Sequence, residues 1–303
     1  MDMTDVKNTH YLQINHKIEK TFSNEDVLII SSTEAWEKFN WTRKYFSKKP
    51  RQGYFLWVKK QVNFPLFSCV LINSKKTTQD LQNLAVLEKG IDISLFGSCL
   101  SSKPGLYGSH NAYGKFVLKE GSSLKYEHRH SWDTNDKVKT RYTFILEENT
   151  KLNYIFKSIN APGKMDIENK AELSDNASCE IKAVIDCKNS EMRINDIIEL
   201  KGKQSSGQIQ MRLVGREKSI IYANSEILAK AQSKGHLDCQ GLLVDESSKI
   251  SLVPRLFCSN KKSQITHEAS IGKISQEQLS YLRTRGLNEK QAISLIVNGF
   301  LNI

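Results

Sequence analysis

Proline and glycine are scarce in this chain, five and sixteen among 303 residues. That scarcity excludes a collagen-like repeat and argues against a low-complexity chain. No stretch approaches eighteen consecutive apolar residues, so no transmembrane helix is expected. The opening Met1-Asp2-Met3-Thr4-Asp5-Val6-Lys7 is polar and acidic with no apolar segment behind it. No secretory signal is expected there, and the reading is a cytoplasmic protein with reduced, mostly buried thiols. The six cysteines never stand closer than eight residues apart, so CxxC and CxxxC metal clips are absent. A phosphate-binding GxxxxGK[ST] loop is missing too. From Gly108 to Gly114-Lys115 the spacing is one residue too long, and Phe116 stands where Ser or Thr is needed. Acidic residues are outnumbered, 33 against 44 Lys and Arg, for a formal charge of +11. Such a surplus favours a polyanionic partner or an acidic protein surface.

What is present is a rhythm. From residue 115 onward, short β-prone runs alternate with polar clusters. These begin at Glu120, Glu147, Ser174, Lys188, Lys203, Arg216, Ala231, Asp245 and Ser259. From 174 the steps are 14, 15, 13, 15, 14 and 14, and before it two steps of 27. Between clusters, Glu180–Ile185 and Gln208–Leu213 alternate apolar and polar residues, as half-buried strands do. Two strands per turn of roughly 28 residues make a parallel β-helix. A β-sandwich is the competing architecture, but its turns come every 8–12 residues, and Asn-Gly or Asp-Gly hairpin signals are lacking.

The ends differ. Residues 1–100 read as a mixed α/β region. It carries a strand at Asp26–Ile30, a capped helical turn at Ser32–Phe39, and a helix over Thr78–Leu87 from Leu81, Leu84 and Leu87 at three-residue steps. Residues 101–273 form the β-helix, and 274–303 a helical hairpin. There Ser275 and Gln278 make a capping box, Gly286 stops the first helix and Asn288 caps the second. The second helix has Ala292, Ile293, Ile296 and Phe300 on its apolar face.

Two constellations invite chemistry. His128 and His130 point the same way on a strand, so both imidazoles could meet one metal ion. No third ligand is evident nearby, and a surface strand is the plainer reading. Residues 41–60 interleave seven Lys and Arg with Trp41, Tyr45, Phe46, Tyr54, Phe55 and Trp57 and contain no acid. Single-strand nucleic-acid binders use that mixture; the alternative is a segment packing its aromatics on the solenoid.

The last third carries three ordered motifs: Thr266-His-Glu-Ala-Ser-Ile-Gly-Lys-Ile274, Gln278-Leu-Ser-Tyr-Leu-Arg-Thr-Arg-Gly286 and Ala292-Ile-Ser-Leu-Ile-Val-Asn-Gly-Phe300. In these the chain resembles the SufB/SufD family, the scaffold proteins of Suf iron–sulfur cluster assembly. The resemblance implies a right-handed parallel β-helix and a non-enzymatic scaffold that handles a transient iron–sulfur cluster shared with a partner subunit. It also implies a SufB-like partner chain, or a second copy, and a SufC-type ABC ATPase docked on the C-terminal helices, with Tyr281, Arg283, Arg285 and Lys290 as candidate contacts. ATP-driven closure of two SufC subunits would strain the scaffold pair. No nucleotide is expected on this chain, the sequence is silent on flavin, and nucleic acid recedes as a partner. His267 falls where family members carry a functional histidine, beside Glu268; both are candidate transient iron or cluster ligands, His267 above all as the metal ligand. The same pair could instead close the last β-helix rung. In SufB-type chains a cysteine lies nineteen residues before that histidine. Here Ser248 occupies the position, which places the chain nearer SufD in role. Cys239 and Cys258 are expected to pack inside the solenoid.

Overall fold

A computed structural model describes residues 9–301, so the Met1–Lys7 stretch read for an export signal lies outside the described residues. Four short strands come first: β1 (Tyr11–Ile14), β2 (Lys17–Lys20), β3 (Phe22–Ser23) and β4 (Val27–Ser31). Helix α1 (Ser32–Lys38) and a 3-10 helix (Asn40–Tyr45) follow, then β5 (Tyr54–Val58) and β6 (Leu66–Ile72). The long strands begin with β7 (Thr78–Leu87), β8 (Asp92–Ser101), β9 (Ser109–Leu118) and β10 (Ser123–Ser131). They continue as β11 (Lys137–Leu146), β12 (Lys151–Asn160), β13 (Lys164–Leu173), β14 (Ser178–Lys188) and β15 (Glu191–Leu200). Then come β16 (Ser206–Arg216), β17 (Ile220–Ala229), β18 (Lys234–Leu243), β19 (Lys249–Cys258) and β20 (Gln264–Lys273). Helices α2 (Gln276–Thr284) and α3 (Glu289–Leu301) end the described chain.

Even-numbered strands build one ten-stranded sheet and odd-numbered strands the other, apart from β1 and β4 near the start. From β5 and β6 onward each strand pairs in parallel with the strand two places on, for example Ile181 with Ile209 and Tyr126 with Tyr154. A parallel partner one full turn away is a β-solenoid, and it excludes the sandwich. The polar clusters are its corners, where Asn149, Asn176 and Gln204 take left-handed backbone at φ 59°, 56° and 56°. Asn tolerates that conformation better than most residues.

Inward positions alternate with outward ones and fill a single continuous core. Its middle is aromatic: Phe116, Tyr126, Phe144 and Tyr154 are all fully buried, with neighbouring ring centroids 4.9–5.2 Å apart. The Phe116–Tyr142 pair packs over Gly114, where a Cβ would stand 2.3 Å from the Tyr142 ring.

The expected helix at Thr78–Leu87 is strand β7. Both faces of β7 are covered: Leu81 faces the solenoid core, while Leu84 and Val86 lie under α1 and the aromatic segment after it. A strand buried on both sides loses its period of two, and its leucines fall at helical spacing by accident. The strand and capped helix expected around residue 30 are β4 and α1, with Ser31 as the cap accepting from the Glu34 N–H. The hairpin follows its sequence signals. Ser275 Oγ accepts from Gln278 N–H at 3.1 Å, and Gln278 Oε1 accepts from Ser275 N–H at 3.3 Å. Asn288 and Gln291 repeat the exchange at 2.9 Å in both directions. Val297 and Leu301 of α3 pack on the outward Val184, Val214 and Leu242 of the even sheet, with Ile293, Ile296 and Phe300 partly buried around them.

Candidate functional site

Strand β10 turns Tyr126, His128 and His130 inward. The two histidines do share a face, but it is the interior: His128 is 1% and His130 3% exposed. The surface-strand expectation is therefore corrected, and a third side chain able to ligate a metal stands beside them. Cys99 on β8 pairs in register with His130, one rung back. Its Sγ lies 3.4 Å from His128 Nε2, and His128 Nε2 lies 3.0 Å from His130 Nε2. The three ligand atoms all fall within 4.8 Å of one another. Gly97, opposite His128, makes room for the ring; a Cβ there would come within 2.8 Å of Tyr126 Oη and 3.1 Å of His128 Cδ2.

Burial sets the protonation. Loss of water holds His128 and the nearby His110 down at about 3, and His130 well below its ordinary range, so all three imidazoles are neutral. Burial also pushes the Cys99 thiol well up. Trp132 Nε1 can only donate, and it stands 3.0 Å from His130 Nδ1. His130 must then carry its proton on Nε2, aimed at His128 Nε2. His128 in turn carries its own proton on Nδ1, 3.3 Å from Tyr154 Oη.

Cys99 escaped the sequence reading for a geometric reason. Its rung is 31 residues long rather than about 28, because the connection between β8 and β9 is extended. Only the ladder register brings Cys99 beside His130.

His267 and Glu268 lie on β20, exposed. His267 sits opposite Leu237 in the ladder. Strands β19 and β20 are the last in their sheets, each paired on one side only. Beside them Val253, Phe257 and Ile271 are 37%, 54% and 45% exposed. Ser248 is buried in the turn before β19, donating to Asp245 Oδ1 at 3.1 Å. Cys239 packs in the core as expected, but Cys258 is exposed. It stands at the end of β19, where no further rung covers it. On the hairpin, Tyr281, Arg283, Arg285 and Lys290 are all exposed, and the Arg285 guanidinium lies 5.3 Å from the Tyr281 ring centre.

The aromatic–basic segment packs its rings largely on one another, with Trp41 still 37% exposed. Phe55 is fully buried, Trp41 lies 5.7 Å from it and 5.3 Å from Trp57, and Phe39 stacks edge-on to Trp57. Trp57 Nε1 donates to Glu88 at 2.8 Å. No helix among the described residues is long and apolar enough to cross a membrane.

The family model described as "SUF system FeS cluster assembly, SufBD core domain" matches residues 70–300. An iron-sulfur cluster assembly SufBD family protein of Archaeoglobus fulgidus is 31% identical over 307 residues, covering 94% of this chain and 82% of that one. A protein of the same description from Methanothermobacter thermautotrophicus is 26% identical, covering 97% of this chain and 78% of its own length. One from Methanocaldococcus jannaschii is 27% identical over 253 residues, covering 80% and 79%. With a solenoid core, a closing helical hairpin and a family match spanning most of its length, the chain belongs to the SufBD family of iron–sulfur cluster assembly proteins.

Proposed function

We propose that the chain is a non-catalytic scaffold subunit of a Suf-type assembly complex. It pairs through the open β19/β20 end with a SufB-like chain or a second copy, and it holds a SufC-type ATPase on residues 274–303. His267 and Glu268 contribute transient ligands to a cluster forming between the paired chains, and ATP chemistry stays on the partner. The observation that carries this reading is the unfinished last rung. Two ten-residue strands end the sheets with unpaired backbone, and the exposed His267 and Glu268 stand on one of them. Long uncovered edges recruit a further strand. An imidazole beside a carboxylate suits iron.

Two variants test it. Removing 275–303 is expected to abolish co-purification with a co-expressed SufC-type ATPase while the solenoid still folds, since rungs contact only their neighbours. Retained ATPase binding would sink the docking assignment. His267→Ala is expected to leave melting temperature and ATPase binding unchanged and to lower iron retained after anaerobic reconstitution with the partner chain. Full iron retention by a stable His267→Ala protein would reject the ligand role, and a lowered melting temperature with only proportional iron loss would assign the residue to packing.

A further inference from the structure

The proposed scaffold role uses the open end and the hairpin. The Cys99, His128 and His130 cluster inside β8 and β10 is untouched by it. We propose that these three side chains bind one thiophilic divalent transition-metal ion within the solenoid, leaving a fourth position open to a small anion.

Geometry comes first. A tetrahedral ion with sulfur at about 2.3 Å and nitrogen at about 2.0 Å needs S–N separations of roughly 3.5 Å and an N–N separation of roughly 3.3 Å. The Cys99–His128 distance of 3.4 Å and the His128–His130 distance of 3.0 Å already match. The third separation, no more than 4.8 Å, closes by about an ångström of side-chain rotation. Mixed thiolate and imidazole donors select zinc, iron and their neighbours over magnesium or calcium.

The proton arrangement points the same way. With its proton on Nδ1 facing Tyr154, His128 has one lone pair, on Nε2. Two donors compete for it: the Cys99 thiol and the His130 Nε2–H. The three side chains therefore carry one proton more than these contacts can place. A metal ion removes this competition, at the cost of the Trp132 hydrogen bond. Cys99 releases its thiol proton to solvent and binds as thiolate. His128 gives its Nε2 lone pair while Nδ1–H stays on Tyr154, the second-shell polarity that metal-bound histidines show. His130 moves its proton from Nε2 to Nδ1, and the Trp132 hydrogen bond gives way. One proton leaves the three side chains per ion bound. His110 adds a further orphan. Gln79 Nε2 donates to the Asn15 and Leu71 carbonyls, so Gln79 Oε1 accepts from His110 Nδ1–H and His110 Nε2 is left buried without a partner, its ring 6.0 Å from that of His130.

Charge accounts for the open position. A divalent ion and one thiolate leave a single positive charge in an interior cluster that holds no carboxylate. One small anion neutralises it. On the outer face of the sheet, over the strand positions of Cys99 and His130, lies a cavity of about 300 Å³ with Arg129 and Lys157 on its wall. Both cations pair with the one carboxylate of Glu127, at 2.7 and 3.3 Å, so the sheet above the cluster keeps a net positive charge that favours an anion nearby. Hydroxide and hydrosulfide have the size and sign required.

The test is an anaerobic cobalt(II) titration of the full chain carrying Cys258→Ser, which removes the one exposed thiol. One equivalent of cobalt is expected to give a thiolate-to-metal charge-transfer band and intense tetrahedral visible bands, with one proton released from the thiol and a second from water where hydroxide takes the fourth position. Azide is expected to shift the visible bands. Cys99→Ser should abolish the charge-transfer band, and His128→Ala should weaken binding at least tenfold. Trp132→Phe should tighten it about fivefold, because the hydrogen bond that must break is gone. A band that survives Cys99→Ser, or no stoichiometric band at all, overturns the site. Visible bands indifferent to azide overturn the open position, and weaker binding by Trp132→Phe overturns the proton arrangement. Should Cys99→Ser fail to fold, X-ray absorption of the cobalt-loaded Cys258→Ser protein decides: one sulfur and two imidazole nitrogens support the site, and a shell of oxygen and nitrogen alone rejects it.

Discussion

Asp196 shows how a single interior residue ties stability to pH. It points into the core from β15, fully buried, and accepts from Asn169 Nδ2 at 2.8 Å, while its other oxygen has no partner. Burial raises its carboxyl to about 7, more than the Asn169 bond can offset. A carboxyl raised in the fold binds a proton that the unfolded chain has already lost. Its contribution is therefore fully present below the unfolded value near 4 and is lost as pH rises to about 7. Asp196→Asn keeps an acceptor for Asn169 without the charge. Urea unfolding of the two proteins is expected to show a gain of up to about 4 kcal/mol for the variant at pH 8 and little difference at pH 4. An equal difference at both pH values would mean that charge burial is not its source. Glu199 titrates the other way. Burial pushes it up, but hydrogen bonds from Lys170 and Lys230 outweigh that and hold it at about 2, so its contribution is lost only as pH falls toward that value.

At the scale of elements, the hairpin is an attachment to the solenoid rather than part of its core. Val297 and Leu301 meet Val184, Val214 and Leu242 in a cluster separate from the interior. Burying one valine stabilises by about 1.5–3 kcal/mol, so Val297→Asp should release α3. Amide exchange is expected to lose protection throughout 276–301 and to keep it in β14, β16 and β18; joint loss would show that hairpin and solenoid fold as one unit. These elements also mark what the sequence disclosed. Corner clusters every 14 residues and two capping boxes are local signals, and each produced the element it announced. Strand β7 was hidden because α1 and the segment after it cover its outer face, a tertiary fact. Cys99 was hidden because its rung carries extra residues, so the distance to His130 fits no period. The sequence did put His128 and His130 on one face, but it could not say which face was inside.

For the whole molecule, the two ends of the solenoid are unlike. At the start, β2 and β3 close the sheets with short antiparallel strands of four and two residues, and β2 carries Lys17 and Lys20. Short, charged edges discourage further pairing. At the other end β19 and β20 run ten residues each with unpaired edges and exposed Val253, Phe257 and Ile271. The charge there is one-sided: between 249 and 273 stand Lys249, Arg255, Lys261, Lys262 and Lys273 against Glu268 alone. Two copies meeting end to end would bring these cations together, whereas a partner with an acidic edge would not repel them. Salt separates the two cases, because it screens exposed charges and leaves apolar contact and backbone pairing intact. Self-pairing is expected to strengthen between low and high salt in sedimentation, with a melting temperature that rises with protein concentration. Pairing with an acidic SufB-like chain should weaken over the same range. Ile271→Lys combined with Phe257→Lys should reduce both without lowering the melting temperature of the dilute chain, since neither residue belongs to the core. Unchanged association by that double variant would move the interface away from the open end, and with it the place proposed for His267.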